Sequence, residues 1–232
     1  MRERIERIHA RLRTAYGSSA AGAHTPVQAV SRDLVDTLVM TILSQNTTDR
    51  NSERAFRRLR ERFPTWEAVM EAPPGEVVRA IEVGGLAPTK GPRIQSILRQ
   101  IKEDRGSIDL SFLEGLSDQE AMDYLCSFRG VGPKTAAVVL LFGLGRDVFP
   151  VDTHVHRVVR RLGLADDRDT PEKVQRTVGE LLPPGAARDL HVNLIRHGRE
   201  VCKARSPRCD LCILATECPS AEEGRLRASE GS

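Results

Sequence analysis

Residues 117–142 read SDQEAMDYLCSFRGVGPKTAAVVLLF: two helices joined by a turn with glycine on either side of a valine. Ser117 followed three residues later by Glu120 is a capping-box signature for the first helix. Pro133 suits the first turn of the second, whose apolar run begins at Ala136. Between them, Gly130 and Gly132 permit the positive φ angles of a tight hairpin and let backbone N–H groups come close to a partner. Those N–H groups sit at a helix N-terminus, where the dipole favours an anion such as phosphate. Gly-x-Gly alone fits a plain inter-helix turn equally well. Lys134 adds weight to the first reading, because a cation at a helix N-terminus opposes the dipole and helix stability does not account for it.

Outward from this hairpin the pattern stays helical. In DLVDTLVMTILSQ (33–45) the apolar residues Leu34, Val35, Leu38, Val39, Ile42 and Leu43 recur at three-and-four spacing, which predicts one buried stripe. Thr170 and Pro171 open a further helix that ends at Pro183, and GPRIQSILRQIKEDRG (91–106) reads as another. Strand-like alternation is scarce and aromatics are only 4%, so the chain reads as all-α, with about ten short helices. Residues 220–232 lack apolar content and read as a flexible tail.

With 232 residues, 40% of them hydrophobic, the chain suits one large or two small domains with a substantial core. No apolar run approaches a membrane span, and the N-terminus lacks the apolar middle of a signal peptide, so an intracellular location is expected. Net charge is only +3, but arginines crowd 50–62 and basic residues crowd 196–208. Such clusters are solvated helix faces or phosphate-binding surfaces.

Four of the five cysteines, Cys202, Cys209, Cys212 and Cys218, fall in VCKARSPRCDLCILATECP (201–219). Clustered cysteines in an intracellular chain point to metal rather than disulfides, and soft thiolates suit an iron–sulfur cluster or zinc. Cys126, in the helix before the hairpin, reads as core. Eighteen residues beyond Lys134 comes Asp152, in VDTHVHRVVRRLG (151–163), which looks like a helix N-cap.

Taken together, ILSQNTTDRN (42–51), GGLAPTKGPRI (84–94), GVGPKTAAVVL (130–140), VDTHVHRV (151–158), LHVNLIRHGREVC (190–202) and C-x6-C-x2-C-x5-C resemble the endonuclease III family of DNA glycosylases, in the helix-hairpin-helix superfamily. The resemblance implies an all-α fold of two helical domains with a DNA cleft between them. A six-helix barrel containing the helix-hairpin-helix would take 30–144. An iron–sulfur cluster domain would take 1–29 and 145–219. The cysteine spacing matches the family's [4Fe–4S] ligand set; zinc is the other metal that four cysteines hold.

The resemblance also implies the chemistry. Lys134 matches the family's nucleophilic lysine, which attacks C1′ and forms a Schiff base that permits β-elimination of the 3′ phosphate. Asp152 matches the catalytic aspartate, which accepts the amine proton or stabilises charge developing on the sugar. The damaged nucleotide leaves the stack, and Leu86 is one side chain filling its place. The second falls on Gln45 or Asn46. Gly130, Val131 and Gly132 grip phosphate, and Lys203, Arg205 and Arg208 face the DNA backbone. Ser44, Asp49 and His154 match positions near the base pocket, although each also suits a cap or core hydrogen bond; His191 and His197 read as structural. The chain departs from the usual family pattern at Phe128-Arg129 and at Pro133, where Arg129 offers an extra phosphate contact.

The expected function is a base-excision-repair glycosylase with AP lyase activity. It would act as a monomer, away from membranes and inside the cell (in the cytoplasm or with the nucleoid if the source is bacterial or archaeal), on double-stranded DNA carrying damaged bases, such as oxidised pyrimidines, or abasic sites. The rivals are a monofunctional thymine or uracil mismatch glycosylase, a non-catalytic damage-binding protein and a zinc-stabilised helical interaction protein.

Overall fold

The computed structural model describes residues 1–18 and 33–221. Its helices run in the order α1 (Arg2–Tyr16), α2 (Leu34–Ser44), α3 (Asp49–Arg62), α4 (Trp66–Glu71), α5 (Pro74–Ile81), α6 (Ala87–Arg105), α7 (Asp118–Ser127), α8 (Pro133–Gly143), α9 (Thr153–Arg161), α10 (Pro171–Gly179) and α11 (Ala187–Glu200), with short 3₁₀ turns between some of them. No strand occurs among the described residues, and no helix there is long and apolar enough to cross a membrane.

The chain divides into two compact units, His24–Arg146 and Met1–Ala23 with Asp147–Ser232. Two neighbouring residues of opposite charge mark the second boundary. Arg146 donates to the carbonyls of Leu113 (2.8 Å) and Glu114 (3.1 Å) in the first unit. Asp147 accepts from the backbone N–H groups of Gly185 (2.6 Å) and Ala187 (2.9 Å) in the second. The expected boundary at 29/30 lies outside the described residues, as does the tail from 222 onward. Ser220 and Ala221 still carry helical backbone, and Ala221 is buried.

In the first unit α2 is central, packed against α3, α6 and α8. The single buried stripe expected of it is too narrow, because Thr37, Met40 and Thr41 are buried as well. The two threonines survive burial by donating to carbonyls one turn back, Thr37 to Asp33 (3.0 Å) and Thr41 to Thr37 (2.7 Å). Asp33 caps this helix through the N–H groups of Val35 and Asp36. The capping box of α7 forms as read, with Ser117 and Glu120 each accepting the other's backbone N–H. Helix α6 begins a turn earlier than expected, at Ala87, and carries Pro92 inside it; two prolines hide that first turn from a sequence reading.

In the second unit α1 buries Ile5, Ile8 and Leu12 and packs on α11, which also packs on α9. Helix α10 is capped by Thr170 but ends at Gly179, short of Pro183.

Candidate active site and cysteine loop

The hairpin comes first. Beyond α7 the chain turns at Phe128–Val131, where the N–H of Val131 donates to the carbonyl of Phe128 at 3.0 Å. Val131 is buried, so it anchors the turn instead of offering its side chain outward. The two glycines are not equivalent. Gly130 has φ +84°, and a Cβ there would lie 2.4 Å from Nε of Arg93. Gly132 has φ −104°, open to any residue, and a Cβ would meet nothing within 4 Å. The fold therefore explains glycine at 130 and leaves glycine at 132 unexplained. Gly132 is the N-cap of α8 and makes no side-chain cap, Pro133 follows, and Lys134 is half-buried in the first turn.

Two further loops of the same unit share an unusual backbone. Asn46 and Leu86 are both non-glycine residues at φ +52°, the left-handed region that costs most residues strain. Both side chains are exposed, Leu86 by 53%. Gln45, by contrast, is held: its Oε1 accepts from Arg93 (3.1 Å) and its Nε2 donates to Oγ1 of Thr135 (3.3 Å). Of the two residues left open by the sequence, Asn46 is the one that protrudes. The hydroxyl of Ser44 donates to the carbonyl of Thr41 at 2.8 Å, and Asp49 opens α3.

In the second unit Asp152 caps α9 and accepts from the N–H of Val155 at 2.7 Å. His154, on the same helix, receives Nη2 of Arg157 on Nδ1 at 3.1 Å and packs at Gly198 of α11. Burial lowers its pKa, against the opposing pull of Asp152. The ring is thus engaged within its own unit.

The thiols of Cys202, Cys209, Cys212 and Cys218 are all free of disulfides and line one cavity of ≈ 110 Å³. Among the described residues no three His, Cys, Asp or Glu side chains are grouped as they would be around a single metal ion. Polar groups close on the sulfurs. Arg161 donates to Sγ of Cys202 (3.3 Å) and to the carbonyls of Lys203 (2.7 Å) and Ala204 (3.0 Å). Arg157, one turn earlier, reaches the carbonyls of Cys202 (3.1 Å) and Gly198 (2.9 Å). Nε2 of His197 lies 3.4 Å from Sγ of Cys212, while its Nδ1 faces the hydroxyl of Tyr16 at 2.9 Å. Burial drops the pKa of His197 to about 4, so the ring is neutral at pH 7, and burial pushes the thiols of Cys212 and Cys218 up. Lys203, Arg205 and Arg208 are exposed on the loop.

Residues 39–184 match the family of HhH-GPD superfamily base excision DNA repair proteins. An Arabidopsis thaliana protein named as a DNA glycosylase is 40% identical over 166 residues, 72% of this chain and 57% of that one. The endonuclease III of Bacillus subtilis is 33% identical over 208 residues, 90% of each chain. The chain belongs to the endonuclease III family. A solved endonuclease III–DNA complex superposes on it with a TM-score of 0.80 at 28% identity, covering 98% of this chain and 99% of the other.

Against this endonuclease III frame, the expected hairpin, Gln45, Asn46, Leu86, Ser44, Asp49 and Lys134 fall in one unit. Asp152, His154, the four cysteines and the basic loop fall in the other. Cys126 is half-buried in α7 and does not line the cysteine cavity. The sequence reading assigned no role to Lys90 and Arg93 of α6 or to Arg157 and Arg161 of α9. No local signal pointed to the last two: Arg161 precedes Cys202 by 41 residues, and α10 and α11 lie between them in the chain.

Proposed function

We propose that this chain removes oxidised pyrimidines from double-stranded DNA through a Schiff base on Lys134, and then cleaves the strand at the abasic site. As a member of the endonuclease III family it is a base-excision-repair DNA glycosylase with AP lyase activity. The observation that carries the site assignment is Gly132. Neither its φ angle nor its surroundings require glycine, and the close approach of a DNA phosphate to the uncapped start of α8 would give a glycine there a use. Lys134 stands two residues further on.

In this reading the neutral amine of Lys134 attacks C1′, the glycosidic bond breaks, and the base leaves with the bonding electrons. Asp152 either takes the proton released from the amine or stays ionised and stabilises the electron-poor sugar with its charge as the bond breaks. The ring opens to the Schiff base, a proton is lost from C2′, and the 3′ phosphate departs by β-elimination. Hydrolysis then frees the lysine. Asn46 and Leu86 fill the space left by the extruded nucleotide.

The cysteines fit a [4Fe–4S] cluster: four free thiols line one cavity, and soft sulfur is the donor such clusters take. Cys202, Cys209, Cys212 and Cys218 would hold it. When bound, it supplies the positive charge that turns buried thiols into thiolates and fixes the loop bearing Lys203, Arg205 and Arg208 for phosphate contact. We also place the protein inside the cell, acting as a monomer on DNA.

Borohydride trapping on duplexes with an oxidised pyrimidine or an abasic site tests the lysine. A covalent adduct in the wild type that is absent from Lys134→Gln is the expected result. Base release without trapping makes the enzyme monofunctional, and binding without release makes it a damage-binding protein.

A further inference from the structure

We propose that Lys90 is a positioning residue that sets the spacing between the two side chains entering the duplex, an inference that rests on the glycosylase reading above. Lys90 is only 2% exposed, in a class of residue that is rarely buried. Its Nζ donates to the carbonyl of Leu43 at 2.7 Å and to that of Gly84 at 3.0 Å. Leu43 lies in the last turn of α2, three residues before Asn46; Gly84 ends a 3₁₀ turn, two residues before Leu86. Both carbonyls are of the kind that a helix end leaves without an internal partner.

Separate caps would satisfy each of them independently. A single amine makes them one unit, so the distance between the Asn46 loop and the Leu86 loop is set by one group. Arg93, one turn along α6, extends the tie: it holds Gln45 and lies over Gly130 of the hairpin. Helix α6 thus carries, on successive turns, the groups that locate both left-handed residues and the phosphate-binding turn. Burial lowers the pKa of Lys90, with Arg93 adding to the effect, and an amine in either protonation state can donate to two carbonyls. The consequence is for extrusion: side chains that must replace a nucleotide lose effect steeply when misplaced, by about 100-fold for 1 Å.

The test compares two single-turnover reactions of Lys90→Met. One is release of whichever base the wild type removes fastest among thymine glycol, uracil and mismatched thymine. The other is strand cleavage at a preformed abasic site in the same duplex, which has no base to extrude. The expected result is a fall of about 10- to 100-fold in release with a much smaller fall in abasic-site cleavage. Added to Leu86→Ala, Lys90→Met should cost no more than about twofold further, because both remove the same function. Equal falls in both reactions, or effects that multiply with Leu86→Ala, would overturn the proposal. If Lys90→Met does not fold, Lys90→Gln, whose amide keeps a donor in the pocket, is scored by the same ratio. A wild type that releases no base from any of these duplexes sinks the glycosylase reading itself, independently of either variant.

Discussion

The hairpin and the cysteine loop are both short segments following a helix, yet they are held by opposite means. The hairpin is set by apolar burial: Phe128 and Val131 are buried beside the apolar α8, and one glycine conformation completes the turn. The cysteine loop buries little. Residues 203–208 are all exposed, and the loop is shaped by arginines donating to its carbonyls and to one sulfur. Helix α1 adds a second set of clamps: Arg11 donates to the carbonyl of Ile213 at 3.2 Å, Arg4 reaches the carbonyls of Leu162 and Glu217, and Arg7 pairs with the Glu217 carboxylate. A turn made by a core keeps its shape unaided. A loop made by polar clamps has no such core beneath it, and a group bound by its four thiols, as proposed above, would carry much of its shape.

That contrast can be broken most forcefully at Lys134. Lys134→Gln should lower strand cleavage by at least about 10³-fold while leaving iron content and thermal melting as in the wild type. A variant that also loses iron would show that the two regions are not separable in this way. Next in size is Cys212→Ser. It should lose iron and inorganic sulfide, and hydrogen exchange should accelerate across 201–221 while protection in 133–141 persists. Exchange rising equally in both segments would contradict the core-held hairpin.

Arg161→Ala sharpens the comparison from the polar side. It removes three donated bonds, and charge-assisted bonds contribute about 1.5–3 kcal/mol each when fully buried, so with this partial exposure a loss of about 1–2 kcal/mol is expected. Chelator-driven iron release should be faster than in the wild type. The smallest effect is expected at Gly132→Ser. Serine is a good N-cap but glycine is nearly as good, so stability should hold or rise by only about 0.3 kcal/mol, while affinity for abasic-site DNA falls about tenfold, or about 1.4 kcal/mol. Unchanged affinity would remove the argument that an external phosphate makes use of the glycine.

Much of the local structure was legible in advance because its causes are local. Caps at Ser117, Asp152 and Thr170 are read from a residue and its next three neighbours, and all three make the expected bonds. The cysteine spacing was legible for the same reason. Burial of α2 on all sides was not, since threonine hides as well as valine once its hydroxyl has a carbonyl one turn back. Nor did the sequence reading choose between Gln45 and Asn46, although asparagine is the commoner of the two at the positive φ that residue 46 adopts. Arg93 and Thr135, 48 and 90 residues away along the chain, make that choice by holding the glutamine side chain.

By itself, then, the sequence determined the all-α class, the helix starts that carry a side-chain cap at Ser117, Asp152 and Thr170, the glycine hairpin and the order of lysine, aspartate and cysteines, because period, capping and spacing act over a few residues. The tertiary structure alone decided which glycine the fold requires and which it does not, which loop residue protrudes, and that one buried lysine ties two loops together. Each of those depends on groups distant in sequence meeting at hydrogen-bonding or van der Waals distance, and no local pattern encodes that meeting.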